Sequence, residues 1–311
     1  MPEISHGSDR RDDYAHLFKS LFSAAFTSKG FDALCTVLRV GGMEDANWDP
    51  LEESRAAFDD YNWMLETAAA QRSDVAARRI SLLMYCQAVE MTAPYEILAN
   101  LLRIIGGQHY TLLPFEGLGR AAKKGDPLSR VPPSAKQKVR RIKELATAAG
   151  RADVSDALDK FFDERVRNAF SHSDYILTDK YFRFTEGGLP QQLDLGIVHV
   201  LITECFAFYG AFLGLHRRWL QELGRGKRFH KWPSYEVLEL LSSEEEGVFG
   251  FHVHFSNGSR ATYTRRRSGI EAINLVFEPD GNINFMVGNL DELEPIWKVN
   301  GKPVEDWNAL P

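Results

Sequence analysis

The sequence predicts a mainly helical protein with a small antiparallel β domain at its end, an α+β chain overall. Apolar residues recur at helical spacing along the greater part of the chain, for example at Leu17 and Leu21. Beyond that part the pattern alternates with a period of two and is interrupted by hairpin turn signals such as Asn257-Gly258. We therefore predict a helical domain over 1–232 and a small antiparallel β domain over 233–311.

The composition narrows the class of protein. Of 311 residues, 44% are hydrophobic and 26% charged, which is typical of a soluble globular protein. With a net charge of -6 the chain as a whole is not basic, so any nucleic-acid contact depends on local basic patches. The chain has no apolar signal core at its start and no run of roughly 18 apolar residues, so we expect a cytoplasmic protein without a membrane span. The odd number and wide spacing of the cysteines predict reduced core residues rather than disulfides or metal ligands; they are Cys35, Cys86 and Cys205.

The helical domain is predicted to contain one long interrupted helix and several shorter ones. The long pattern runs from Ser73-Asp74 to Gly106-Gly107, and Pro94 is expected to kink it or split it in two. Residues 1–11 are polar and predicted to be disordered, and 108–133 is predicted to be a long loop. The remaining predicted helices cover 12–28, 31–40, 51–71, 135–149, 153–170 and 196–223.

Strand signals occur once within the helical domain and repeatedly after it. A hairpin is predicted between 181–185 and 191–195, with its turn at Glu186-Gly187-Gly188. The basic, irregular stretch 224–232 is predicted to be a linker. The β domain is predicted to hold three hairpins: 248–255 with 261–265, 270–277 with 282–287, and a last one at Asn300-Gly301.

The stretch Arg167-Asn168-Ala169-Phe170-Ser171-His172 carries the most concentrated chemistry in the sequence. It lies where the predicted helix 153–170 ends, so the negative end of that helix favours the charged forms of Arg167 and His172. An arginine fork binds phosphate oxygens, and an imidazole exchanges protons near neutral pH. These are the groups that RNA cleavage requires: a base for the 2′-hydroxyl, an acid for the leaving oxygen, and a cation for the phosphorane.

This stretch resembles the motif of the HEPN superfamily (higher eukaryotes and prokaryotes nucleotide-binding domains). That motif is an arginine with a polar neighbour and a histidine a few residues further on, matched here by Arg167, Asn168 and His172. The resemblance covers about 74–223 and implies a HEPN-like helical bundle, here with an inserted β-hairpin, that dimerises across the motif. One toxin branch has a tyrosine two positions after the histidine; here Asp174 has that place and Tyr175 follows.

The resemblance implies a metal-independent endoribonuclease that needs no cofactor and works as a homodimer. His172 would be general base or acid, Arg167 the phosphate clamp and Asn168 an orienting group. A single histidine cannot be base and acid at the same moment, so a second copy would supply the other group. A toxin or defence role, with an antitoxin or effector partner, also follows from the resemblance. The alternative is a non-catalytic HEPN-like dimer that binds nucleic acid, a nucleotide or a partner protein.

Other residues are candidates for supporting roles, each with a structural alternative. Glu90 and Glu96 flank Pro94 and are expected to line the cleft that holds Arg167 and His172, or else to lie on solvated helix faces. Asp174 and Tyr175 are also candidate supporting residues. Arg167 could instead pair with Asp163 or Glu164, and His172 could simply cap the helix. The basic helix 135–149 is the candidate RNA-binding surface, through Lys136, Lys138, Arg140 and Arg141, although such runs are commonly solvated faces.

Three further sequence patterns bear on a metal site, a nucleic-acid surface or another enzyme class. His252 and His254 alternate on one face of a predicted strand, but they lack a third ligand at a recognisable spacing, so we predict a polar sheet face and no metal. The basic runs 225–231 and 265–267 are predicted to be linkers or solvated surfaces; the alternative is an RNA-binding track, in which Phe229 and Trp232 would stack on bases. The sequence has no phosphate-binding glycine loop, serine-hydrolase elbow or zinc-protease motif.

Overall fold

Helices and antiparallel strands make up the described part of the computed structural model, and this confirms an α+β chain. The described residues are 6–41, 50–70, 74–121, 130–225, 229–231, 237–255, 258–266, 269–278, 283–285, 298–299 and 302–303. The helices among them are α1 (His6–Ser28), α2 (Gly30–Leu38), α3 (Pro50–Ala70), α4 (Asp74–Glu90), α5 (Thr92–Ile105), α6 (Ala135–Ala148), α7 (Ala152–Asp159), α8 (Glu164–Ser171) and α9 (Leu195–Arg225).

The strands are short and every pairing between them is antiparallel. The strands in the described residues are β1 (Arg120–Ala121), β2 (Arg130–Val131), β3 (Tyr175–Leu177), β4 (Tyr181–Glu186), β5 (Leu189–Asp194), β6 (Phe229–Lys231), β7 (Val237–Ser243), β8 (Gly247–His254), β9 (Arg260–Arg266), β10 (Gly269–Ile273), β11 (Leu275–Phe277), β12 (Ile283–Phe285), β13 (Lys298–Val299) and β14 (Lys302–Pro303).

The chain forms two compact units whose limits differ from the predicted division at 232/233. One unit comprises 1–28, 51–108 and 115–215, and the other comprises 29–50, 109–114 and 216–311. The second unit therefore includes α2, which a division by composition assigns to the helical part. The reason is that Phe31 of α2 packs edge-to-face against Phe251 of β8, with ring centroids 5.4 Å apart.

The core of the first unit is built on aromatic side chains of α1 and α9. Phe18 is fully buried and lies edge-to-face against Phe208 and Phe212, at centroid distances of 4.9 and 5.3 Å. Phe161, just after α7, packs against Phe208 from another side at 4.8 Å. α9 is also long and apolar enough to cross a membrane by length and composition alone. Its buried aromatic contacts are those of a core helix.

The long predicted helix is split at Met91, which confirms the expected effect of Pro94. α4 ends at Glu90 and α5 begins at Thr92, so that Pro94 is the third residue of the new helix. In the first turn of a helix the missing N–H of proline costs no intrahelical hydrogen bond. The split places Glu90 and Thr92 at adjoining helix ends.

The prediction of one helix over 153–170 is wrong, because the segment forms α7 and α8 with a break at 160–163. The hydroxyl of Tyr85, on α4, donates to the Phe161 carbonyl at 2.9 Å and accepts the N–H of Asp163 at 3.0 Å. Asp163 then caps α8 by accepting the Arg165 N–H at 2.9 Å. A side chain from a distant helix thus satisfies the backbone groups that the break exposes.

Two predictions about irregular segments are also wrong. α1 begins at His6, so residues 6–11 are helical rather than disordered, while 1–5 lie outside the described residues. The predicted linker 224–232 contains the end of α9 and the edge strand β6, which pairs with β7. Within the predicted loop 108–133, β1 and β2 form a two-stranded pair.

The predicted hairpin in the first unit is confirmed and gains a third strand. β4 and β5 pair through a turn at Gly187-Gly188, both with positive φ (+58° and +82°), a backbone that glycine adopts without strain. β3, which directly follows the Arg167–His172 stretch, pairs with β4 on its other side. The sheet therefore begins three residues after His172.

The second unit contains a five-stranded sheet in the order β10-β9-β8-β7-β6. The hairpin β8–β9 is as predicted. Strand β7, which pairs with β8, was not predicted from the sequence. Strand β10 pairs with β9 instead of with the next strand. The expected pairings of β11 with β12 and of β13 with β14 are present, although their turn residues lie outside the described chain. The apolar face carries the buried Phe251 and Tyr263, and the opposite face carries His252 and His254.

Candidate functional site

The end of α8 is shaped by a Schellman motif that holds the predicted site. The N–H of Asp174 donates to the Ala169 carbonyl at 2.9 Å, and the N–H of Ser173 donates to the Phe170 carbonyl at 3.0 Å. Ser173 occupies the left-handed position, with φ of +57°, where glycine is usual. His172 is the C-cap, so the helix ends there as the sequence predicts.

Arg167 is held by an ion pair with a residue of another helix. Its Nη2 lies 2.6 Å from Oε1 of Glu90, and its Nη1 donates to Oδ1 of Asn168 at 2.7 Å. The Arg167 side chain as a whole is 30% exposed, while its Nε is buried without a hydrogen-bond partner among the described residues. The two pairings considered from sequence are not formed, because Asp163 pairs with Arg165 and Glu164 with Lys136, each at 2.7 Å. The structure thus brings Arg167, Asn168 and Glu90 together.

His172 has its backbone fixed and its imidazole exposed. Its N–H donates to the Asn168 carbonyl at 3.0 Å, which makes the backbone, not the ring, the cap of the helix. Within the described part of the chain no side chain or carbonyl is hydrogen-bonded to the imidazole, and the residue is exposed. The ring is therefore accessible to a ligand, and it lies five residues after Arg167 at the same helix end.

Lys138 is buried, so it does not belong to an exposed basic surface. Only 5% of the residue is exposed, and Nζ donates to Oγ1 of Thr92 at 2.7 Å. Burial lowers the pKa of Lys138, while the charges of Glu96 and Glu90 act in the opposite direction. The negative charges of Glu96 and Glu90 therefore offset part of the cost of burying the ammonium.

The other basic residues of α6 are exposed and engaged in surface ion pairs. Lys136 pairs with Glu164 of α8, and Arg140 and Arg141 both approach Glu144, at 3.1 and 3.4 Å. Exposed pairs of this kind contribute little to stability, so a nucleic-acid phosphate can replace the carboxylates. The surface remains compatible with RNA binding without indicating it.

Asp174 and Tyr175 have different surroundings. Asp174 is exposed and takes part in the Schellman motif through its backbone. Tyr175 stacks between Phe170 and Phe182, with ring centroids 5.1 and 5.4 Å away. This stack joins the end of α8 to the sheet, which gives Tyr175 a structural task.

Sequence reasoning missed Thr92, and it missed that Cys86, a free buried cysteine as predicted, lies beside Arg167. Thr92 carries no motif, and its contact with Lys138 depends on how α5 and α6 pack. The thiol of Cys86 points to the Arg167 carbonyl at 3.8 Å, and a hydrogen bond joins it to Ser171. Burial raises the pKa of Cys86 to about 11, with the Ser171 hydrogen bond and the Arg167 charge acting against that rise. The thiol is therefore protonated at neutral pH and unsuited to nucleophilic attack.

The polar sheet face of the second unit was the other candidate. Nε2 of His254 lies 2.8 Å from Oε2 of Glu239, and Nδ1 of His252 lies 2.9 Å from Oγ1 of Thr262. Among the described residues no three histidine, cysteine or carboxylate side chains are arranged to hold a metal ion. In the basic run 265–267, Arg265 is buried and donates to the Arg39 carbonyl at 2.7 Å, and Arg266 is exposed; Arg267 lies outside the described residues.

Comparisons with models of known families, with curated protein sequences and with solved structures gave no match to this chain.

Proposed function

We propose that this protein is a metal-independent endoribonuclease of the HEPN type, cytoplasmic and homodimeric, with Arg167 and His172 as its catalytic pair. One observation carries the proposal. A partly exposed Arg167 side chain, oriented by Asn168 and Glu90, and an exposed His172 lie at the same end of α8. The motif resemblance supplies the reaction, and the helical surroundings of α8 agree with it.

In the proposed reaction the RNA supplies its own nucleophile. One imidazole takes the proton of the 2′-hydroxyl, the 2′-oxygen attacks the adjacent phosphorus, and the bond to the 5′-oxygen breaks. A protonated imidazole gives its proton to the departing 5′-oxygen, and a 2′,3′-cyclic phosphate remains. Arg167 stabilises the charge on the phosphorane between these steps. Two histidines are needed, and a second copy of the chain supplies the other one.

A second function, favoured by the ion pair itself, is a non-catalytic HEPN-like dimer that binds nucleic acid, a nucleotide or a partner protein. Glu90 already neutralises Arg167, and such a pair can serve to dock α8 on α4. On this alternative, binding persists when His172 is replaced. A steep fall of affinity with salt would then indicate phosphate contacts.

The deciding experiment is cleavage of single-stranded RNA in EDTA by the wild-type protein, His172→Ala and His199→Ala. His199 is an exposed histidine on α9 outside the motif, which makes it a matched control. We expect the wild type and His199→Ala to cut and His172→Ala to lose at least 100-fold in rate, as expected for a general acid–base group. Equal cutting by His172→Ala, or none by the wild type, contradicts the nuclease proposal.

A toxin or defence role, with an antitoxin or effector partner, is part of the same proposal. Overexpression should slow the growth of a bacterial host, and His172→Ala should relieve it while His199→Ala should not. A host that grows normally with the wild-type protein would argue for the binding module.

A further inference from the structure

Lys138 differs from the exposed basic residues of α6 because its side chain is buried. It lies in the buried stripe of α6 with Ala135, Val139 and Ile142, at a position where an apolar residue is expected. A buried ammonium is costly unless it is hydrogen-bonded and compensated by negative charge. Its hydrogen bond to Thr92 meets the first requirement.

The compensating charge comes from the two carboxylates beside the α4–α5 break. Thr92 and Glu96 are four residues apart and so share one face of α5, the face that receives the Lys138 side chain. Glu90 ends α4 two residues before Thr92, and its carboxylate also pairs with Arg167. Arg167, Lys138, Glu90 and Glu96 contribute two positive and two negative charges, and these four residues are called here the Lys138 cluster.

We propose that Lys138 is a positioning residue for the candidate site: its ammonium balances Glu90 and Glu96, so that Arg167 is left able to bind an RNA phosphate. This inference rests on the proposed function for its ligand, a phosphodiester of single-stranded RNA. Without Lys138 two carboxylates face one guanidinium. Arg167 is then held more tightly by Glu90, and the cluster carries a net negative charge that repels phosphate.

The proposal predicts that a more negative Lys138 cluster binds RNA more weakly and a more positive one binds RNA more tightly. This relation is called here the sign rule. Lys138→Met makes the cluster more negative, and we expect the Kd for RNA to rise about fivefold to tenfold, the effect of one unit charge several Å away at intermediate dielectric. Glu96→Gln makes the cluster more positive, and the Kd should fall by a similar factor. The double variant Lys138→Met/Glu96→Gln restores neutrality and should bind like the parent protein. A structural role for Lys138 alone predicts no such restoration.

The test measures binding of a fluorescent single-stranded RNA by anisotropy in the His172→Ala background, where the RNA stays intact. Asp159→Asn is the control for charge, because it removes a carboxylate that pairs with Lys143 on the outside of α6. Thermal unfolding of each variant shows which of them fold. If Lys138→Met does not fold, the Glu96→Gln variant still decides, since the proposal requires tighter binding from it than from Asp159→Asn.

A second readout does not depend on RNA. The Nε–Hε NMR signal of Arg167, assigned with Arg167→Lys, should shift in Lys138→Met and return in the double variant. Unchanged affinity together with an unchanged signal overturns the role of Lys138, whether or not the wild type cuts RNA. Affinity that follows the sign rule in a protein that does not cut overturns only the nuclease proposal. A protein that does not bind the RNA overturns both.

Discussion

The Arg167 guanidinium and the Glu90 carboxylate, 2.6 Å apart, join α8 to the end of α4. Because Asn168 holds another nitrogen of the same guanidinium, Arg167 has one defined direction at the site. The pair therefore links the position of the phosphate-binding group to the break between α4 and α5. This relationship gives the first prediction.

Glu90→Gln should lower kcat for RNA cleavage about tenfold while lowering KM, because Arg167 loses its orientation and the phosphate meets less negative charge. The free energy of unfolding should change by less than about 1 kcal/mol, since the pair is partly exposed. Steady-state kinetics and urea unfolding measure the two effects. Glu164→Gln is the matched control: it breaks another ion pair of α8, the one with Lys136 of α6, and should leave kcat unaffected. A lower kcat in both variants would speak against a specific role of Glu90.

The sequence was sufficient where a local signal decides the structure. Ser134 and Gln137 form the expected capping box at the start of α6, and Pro94 separates α4 from α5. Gly187-Gly188 fixes the turn of the β4–β5 hairpin. Each of these features depends on residues that are near neighbours in the chain.

The sequence failed where a distant side chain decides the structure. The apolar pattern continues across 160–163, so only Tyr85, on another helix, reveals why the backbone breaks there. The pairing of Arg167 with Glu90, rather than with its neighbours Asp163 or Glu164, likewise depends on tertiary packing. The burial of Lys138 could have been predicted from the sequence, because Lys138 lies in the apolar stripe that Ala135, Val139 and Ile142 define.

Tyr85→Phe should destabilise the protein by about 1–3 kcal/mol, because the Phe161 carbonyl and the Asp163 N–H lose a buried partner. Urea unfolding followed by circular dichroism measures the change. Tyr175→Phe is the control, since the hydroxyl of Tyr175 makes no hydrogen bond to the described residues and its ring stacking is retained. Equal stability of Tyr85→Phe and the wild type would show that the break does not need the hydroxyl.

Ser173→Gly should stabilise the protein by about 1 kcal/mol, because glycine avoids the steric cost of the left-handed conformation at the end of α8. Ser173→Ala keeps a Cβ and should give no gain, which makes it the matched control. Thermal unfolding of the three proteins measures the difference. If alanine stabilises as much as glycine does, the gain has a cause other than backbone strain.

The last prediction concerns the stability of the five-stranded sheet at acidic pH. Burial lowers the pKa of His252, with Arg260 and His254 acting in the same direction and Glu239 and Glu271 against it. The folded protein therefore binds a proton at His252 less readily than the unfolded chain does. This contribution to stability is present above the unfolded pKa of about 6.5 and is lost as the pH falls below it.

The melting temperature should drop between about pH 7 and pH 5, and His252→Gln should reduce that drop. His199→Gln, a change at an exposed histidine of the first unit, should leave the pH profile as it is in the wild type. A His252→Gln profile that falls as steeply as that of the wild type would place the acid sensitivity elsewhere in the chain.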